Sequence, residues 1–267
     1  MVHHGLKQLL KKKLVEHNNM INNKKVIGII LAYKHAQFLD GLYKKLPLHI
    51  MDEVIITNDE SGDGIEEVAK RLGIKCFSHP RMGYGGNMKY GMKKAIELGA
   101  DYMVEIHGDG QFDVDFIEPA INKIVGGGYG LVLGNRFVNM KQPLDDGMPV
   151  IKYIANRCLT FIENITIGVW LGEFHTGARI YSKEAIEKVD LTHTSDSFLF
   201  GFEIIAQIIY HKFKVGEVPV RSYYNREHSS MSFKNSALYA FQTFRTLFLY
   251  ICARIGFKTK LFYENKN

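Results

Sequence analysis

Cysteine, tryptophan and proline are scarce in this chain: three, one and six among 267 residues. Cys76, Cys158 and Cys252 lie far apart and form neither a CxxC pair nor a Cys/His zinc spacing. A disulfide framework or structural zinc is therefore not expected, and reduced thiols point to the cytoplasm. Long apolar runs are missing as well. The N-terminal LKQLLKKKLVEHNN has no apolar stretch of signal-peptide length. The best membrane candidate, Ser236 to Phe257, is interrupted by Gln242, Arg245 and Arg254, and arginine in mid-span is costly. It reads as an amphipathic or core-packed helix able to lie on a membrane. Internal repeats and low-complexity linkers are absent, so one domain with appendages is expected.

Charge is unevenly spread. The formal balance is +6, yet residues 1–25 hold six Lys and one Glu, and residues 232–267 hold six Lys or Arg and one Glu. The ends thus carry +10 and the body about −4. This suits an anionic surface met at the ends, or simply solvated tails, and gives no reason to expect a nucleic-acid groove.

What is present is an alternation. KVIGIILA (25–32), EVIIT (53–57), KCFS (75–78), YMVEI (102–106) and LVLG (131–134) read as strands, and helical spacing fills the stretches between them. Strands alternating with helices predict a mostly parallel, helix-covered α/β sheet, with ligands gathering at the carboxyl ends of the strands. Ala32 and Tyr33, Asn58 to Asp63, and His107 to Asp113 all fall at such ends. Further on, the sequence predicts a helix over about 150–167, the loop GEFHTGAR with a short strand, and a helix around FGFEIIAQIIYHK.

Three loops have the composition of a site. TNDESGDG (57–64) is explained by turn chemistry alone, but Asp59 is also placed to accept from a nucleobase N–H. Gly83, Gly85 and Gly86 in HPRMGYGGNMKYG precede a helical pattern, so either a tight turn or a cradle for a diphosphate is expected there. In EIHGDGQFD, Asp109 lies beyond a buried strand between Gly108 and Gly110. A carboxylate so placed suits a divalent cation held against phosphate oxygens.

Taken in order, VIGIILAYK, VIITNDESGDG, HPRMGYGGNMKYG, IHGDGQFD, LVLGNRF, HTGARIYS, FEIIAQ, GEVPV and NREHSSMSF resemble the family 2 glycosyltransferases of GT-A fold. They are most similar to the branch containing dolichyl-phosphate mannose synthases. The resemblance covers about residues 24–235, leaving a basic arm (1–23) and a C-terminal amphipathic helix with a basic tail (236–267). It implies inverting transfer from a nucleotide diphosphate sugar to a polyprenyl-phosphate, lipid-linked or glycan acceptor in cell-surface glycan synthesis, with Mn²⁺ or Mg²⁺. The setting implied is the cytoplasm or the inner face of its membrane. Asp59, with Ala32, Tyr33, Gly83, Gly85 and Gly108, then inherits nucleotide binding, while Asn58 stands where the family has an acid. Asp109 and His107 fall on the metal motif, His107 in place of its first acid. Arg136, Arg179, Arg226 and Ser229 match phosphate contacts, and His175 and Thr176 border the acceptor. Glu173 and Glu203 are the candidates for a base, should the acceptor be a hydroxyl. A non-catalytic nucleotide-sugar binder is the alternative that His107 and Asn58 suggest.

Overall fold

The computed structural model describes residues 24–224 and 233–262; the basic arm 1–23, Arg226 and Ser229 lie outside the described residues. Strand β1 (Val26–Ala32) is buried at every position, as a strand covered on both faces must be. It pairs in parallel with β2 (Glu53–Asp59) and β4 (Tyr102–His107), and β2 pairs in parallel with β3 (Lys75–His79). Helices α1 (Ala36–Lys45), α2 (Ile65–Leu72) and α3 (Gly83–Glu97) make the crossovers. The sequence explains their ends. α2 has Glu66 and Glu67 in its first turn, Lys70 and Arg71 in its last, and stops at Gly73 with φ 70°, so charge complements the helix dipole and glycine takes the left-handed cap.

The second half contains α4 (Ile117–Gly127), β5 (Leu131–Asn135), α5 (Gln142–Asp145), α6 (Val150–Ile167), β6 (Arg179–Ser182), α7 (Lys183–Ile186), α8 (Phe200–Tyr210), β7 (Val215–Pro219) and α9 (Phe233–Arg254). The seven strands run β3-β2-β1-β4-β6-β5-β7. All neighbours are parallel except that β6 is antiparallel to both β4 and β5. The chain therefore enters β6 at the edge where β1, β2, β4 and β5 leave the sheet, and the loop before it joins their carboxyl ends.

Two apolar layers enclose the sheet. Ile27, Ile29 and Met103 pack with Met88 and Met92 of α3, Ile204 of α8 and Leu247 of α9. On the other face Ile30, Ile56 and Val104 meet Leu39 of α1, Ile65 of α2 and Ile121 of α4. One boundary departs from expectation: α3 starts at Gly83, four residues before the apolar pattern suggests. Gly85 lies within this helix and has to be glycine because the backbone around Ser195 crosses it closely. A Cβ there would lie 2.5 Å from the Ser195 carbonyl oxygen and 2.6 Å from Phe200 Cβ.

Candidate active site

The loop after β4 is shaped by its glycines. The Gly108 N–H donates to the Leu31 carbonyl at 2.9 Å, and a Cβ on Gly108 would approach that oxygen to 2.6 Å. Gly110 has φ 67°, a conformation side chains resist. Between them Asp109 is fixed, with Oδ1 accepting from the Gln111 N–H at 3.0 Å. Asp109 lines a cleft of about 430 Å³ with Gln37, Phe38, Phe112, Asp113 and Tyr223.

His107 points differently. Its Nε2 lies 3.3 Å from Glu105 Oε1, and its ring packs on Phe112 and Tyr84. Sequence reasoning missed Glu105, which looks like one more residue of a buried strand. It is wholly enclosed, accepting from the hydroxyls of Tyr84 and Tyr181, the latter at 2.7 Å, with Arg179 Nη1 at 3.8 Å. Burial alone would push its carboxyl up, but Arg179 and His107 outweigh burial and hold it below the usual range. Arg179, expected at a phosphate, is drawn into this cluster instead. The antiparallel register sets it directly opposite Glu105, and its guanidinium packs against Gly201, leaving no room for a Cβ.

At the β2 end, Asp59 is buried and accepts from the N–H groups of Met82 (2.6 Å) and Gly83 (2.9 Å). It caps the start of α3. The N–H groups of Gly85 and Gly86 both go to the Asp196 carbonyl, at 2.8 and 3.3 Å. Of the two expectations for Gly83 and Gly85, a tight turn or a diphosphate cradle, the turn accounts for these donors as they stand, each satisfied within the chain. Arg81, also missed, lies with its guanidinium 3.2 Å from the Tyr33 ring centroid and Nε 3.8 Å from Asp59. Tyr33, Asp59 and Arg81 thus converge, whereas the Ala32 side chain is buried in the core. Asn58 has a structural reason to be an amide. It donates to Glu66 at 2.5 Å and accepts from the Ser61 N–H at 3.1 Å, and a carboxylate there would face that of Glu66.

The loop entering β6 carries a second ionic cluster. Glu173, wholly buried, accepts from Arg136 Nε at 3.0 Å, from Arg136 Nη2, from the Arg136 N–H at 3.2 Å and from Asn156 Nδ2 at 3.1 Å. Burial opposes its charge, but Arg136 prevails and keeps the carboxyl below its ordinary range. Glu217 of β7 accepts from the N–H groups of Gly172 (2.8 Å) and Glu173 (3.1 Å), pinning the loop. His175 Nδ1 meets the Tyr239 hydroxyl at 2.9 Å, and its Nε2 lies 3.2 Å from Glu163 Oε1. Thr176 is buried and accepts from the Ala178 N–H. Arg136 also lines a cleft of about 280 Å³ that shares Asp113 with the cleft beside Asp109.

Glu203 stands apart. It accepts from the Ser195 N–H at 2.6 Å and lines another cleft with His193, Arg245 and Lys258, sharing none of the residues around Asp109. Burial pushes its carboxyl up. For a divalent ion, the donor set is sparse: among the described residues no three His, Cys, Asp or Glu side chains come together. Asp109 offers a carboxylate and His107 is turned to Glu105, so the residues fit an ion shared between one protein carboxylate and ligand phosphates, an arrangement common for Mg²⁺.

The family model described as glycosyl transferase family 2 matches residues 29–190. The UDP-N-acetylglucosamine–dolichyl-phosphate N-acetylglucosaminyltransferase of Methanococcus voltae is 27% identical over 245 residues, covering 85% of this chain and 96% of that one. The low-salt glycan biosynthesis hexosyltransferase Agl6 of Haloferax volcanii is 25% identical over 181 residues, 67% of this chain and 42% of that protein. Among solved structures, glucosyl-3-phosphoglycerate synthase from Mycobacterium tuberculosis, in complex with Mn²⁺, uridine-diphosphate-glucose and glycerol 3-phosphate, aligns with a TM-score of 0.67. The alignment covers 92% of this chain and 86% of that one at 14% identity. That likeness is one of fold: the sheet and its helices are those of GT-A.

Proposed function

Because the chain belongs to glycosyl transferase family 2, we propose that it moves a sugar, with inversion, from a nucleotide diphosphate sugar to a polyprenyl phosphate or related lipid-linked acceptor in cell-surface glycan synthesis. The acceptor class carried by the Methanococcus voltae relative's name, a dolichyl phosphate, supports this reading. The observation that carries it is the state of the two candidate bases. Glu173 is enclosed by Arg136 and Asn156, and Glu203 lies in a different cleft. A hydroxyl acceptor needs a base, whereas a phosphate arrives anionic and needs none.

In this reading Tyr33, Arg81 and Asp59 hold the nucleoside end of the donor. Asp109 would hold the divalent ion, which when bound neutralises charge on the leaving diphosphate. His107, oriented by Glu105, hydrogen-bonds to phosphate oxygen. An acceptor phosphate oxygen attacks the anomeric carbon as its bond to the diphosphate breaks, and the loop 172–178, held by Glu217, positions that acceptor. Positioning and electrostatics supply the rate.

Turnover of a panel of nucleotide sugars with polyprenyl phosphate or a neutral glycan, in Mn²⁺ or Mg²⁺, tests this. Transfer to the phosphate acceptor is expected, and Asp109→Asn should lower it by about 10²–10³-fold, a loss of about 3–4 kcal/mol. Transfer to neutral hydroxyls alone would overturn the acceptor assignment, and an unaffected Asp109→Asn would remove the metal from this loop.

A further inference from the structure

Helices α6 and α9 pack against each other, and both turn an apolar stripe outward. The exposed stripe of α6 is apolar: Ile151, Ile154, Cys158, Phe161, Ile162 and Ile165, at helical spacing. Its inward side is polar, burying Asn156, Thr160, Glu163 and Asn164. On α9 the outward residues are Leu238, Phe241, Phe244, Phe248 and Ile251, with Ile255 just past its end, while its inward side buries Thr243 and Thr246 together with Leu247 and Tyr250. The large side chains of these stripes are 37–69% exposed. A helix packed on a globular body normally shows the reverse pattern, and apolar surface spread over two helices marks an interaction site.

We propose that α6 and α9 together form one face that seats on an anionic lipid bilayer. Charge selects this occupant. Lys152 lies on α6, Arg245 and Arg254 on α9, and Lys258 and Lys260 follow. The one acid on either helix is Glu163, and it is buried beside His175. Two copies meeting through this face would bring like charges together, whereas anionic headgroups complement them while the apolar stripes enter the acyl boundary. Neither helix is long and apolar enough to cross a membrane, so the face lies in the interface. It also flanks the candidate site: Tyr239 of α9 contacts His175, and Asn156 of α6 contacts Glu173. The inference draws on the proposed function only for the location of a lipid-linked acceptor.

The lone tryptophan reports on it. Trp170 follows α6 and is 76% exposed. The full chain is titrated at low salt with vesicles of phosphatidylcholine alone or with phosphatidylglycerol, without donor or polyprenyl phosphate. A blue shift of Trp170 emission and co-sedimentation about tenfold stronger on the anionic vesicles are expected, weakening with salt. The double substitution Ile154→Ser with Phe241→Ser should abolish both at an unchanged melting temperature, since both side chains are exposed. Three results would overturn the proposal: no binding to anionic vesicles, binding that survives the double substitution, or a dimer in sedimentation equilibrium that the double substitution dissociates. Because the vesicles carry no substrate, each leaves the transfer reaction to be judged by its own assay.

Discussion

Replacing Glu173 by alanine should destabilise the protein more than any surface charge change, because it strands Arg136. The guanidinium side chain is about 10% exposed and the Glu173 carboxylate not at all. Arg136 would keep its bonds to the His175 carbonyl, at 3.2 Å, and to the Tyr224 hydroxyl, neither of which carries compensating charge. Breaking a buried pair in this way costs about 3–5 kcal/mol. Removing both partners, as Arg136→Met with Glu173→Leu, fills similar volume and should recover most of the loss, so the two single effects must be strongly non-additive. Urea unfolding of wild type, Arg136→Met, Glu173→Leu and the double variant measures it. The sign with pH also follows. Glu173 is held below its ordinary value of 4.5, so its stabilisation is complete at neutral pH and is lost as pH falls below that value and through the folded-state pKa. The difference between wild type and Glu173→Gln should therefore shrink in acid. A single mutant losing under about 1 kcal/mol, or a double mutant losing the sum of the singles, would refute the buried-pair argument. A stable Glu173→Gln protein with abolished transfer would restore Glu173 as a base.

Asp59→Ala removes the acceptor for two N–H groups at the start of α3 and should cost about 1–3 kcal/mol in stability. A similar loss, about 1–3 kcal/mol, is expected in nucleoside diphosphate affinity by calorimetry on the folded variant; unchanged affinity would leave Asp59 a cap and nothing more. For Glu203, burial raises the folded carboxyl, so its ionisation weakens the fold as pH rises through that raised value. Glu203→Gln should accordingly melt no lower than wild type at pH 8 yet lose that advantage in acid; a lower melting temperature at pH 8 would mean that the charge itself is stabilising.

The parallel half of the sheet was legible because β1, β2 and β4 are buried on both faces, and a strand so enclosed is written as a continuous apolar run. Asp59 and Asp109 were legible as strand-end residues for the same reason. Glu105 was not, since its meaning arises from the residue opposite, and the Glu105 to Arg179 register is a non-local fact. The start of α3 was hidden because Gly83, Gly85 and Gly86 have the composition of a loop, and only the crossing of the 195–200 segment makes small residues necessary there. α6 was found at its full length, yet its facing could not be read. Apolar periodicity announces a helix without saying whether that stripe turns toward the core, and here buried Glu163 and Asn164 show that it does not.

The strand order has a consequence during synthesis. β5 is bounded by β6 and β7, both of which leave the ribosome after it. A nascent chain that ends before Arg179 can complete the set β3-β2-β1-β4, but its β5 has no strand beside it and β4 keeps one bare hydrogen-bonding edge. Such edges recruit foreign strands. Four residues, Arg179–Ser182, close both gaps at once, and they also bring the cation that Glu105 has lacked until then. The same short segment thus joins the two parts of the sheet, leaving only the far edge of β5 to await β7, and completes the ionic cluster beneath the site, so the first moment at which the sheet is continuous is also the first at which His107 has its neutralised support.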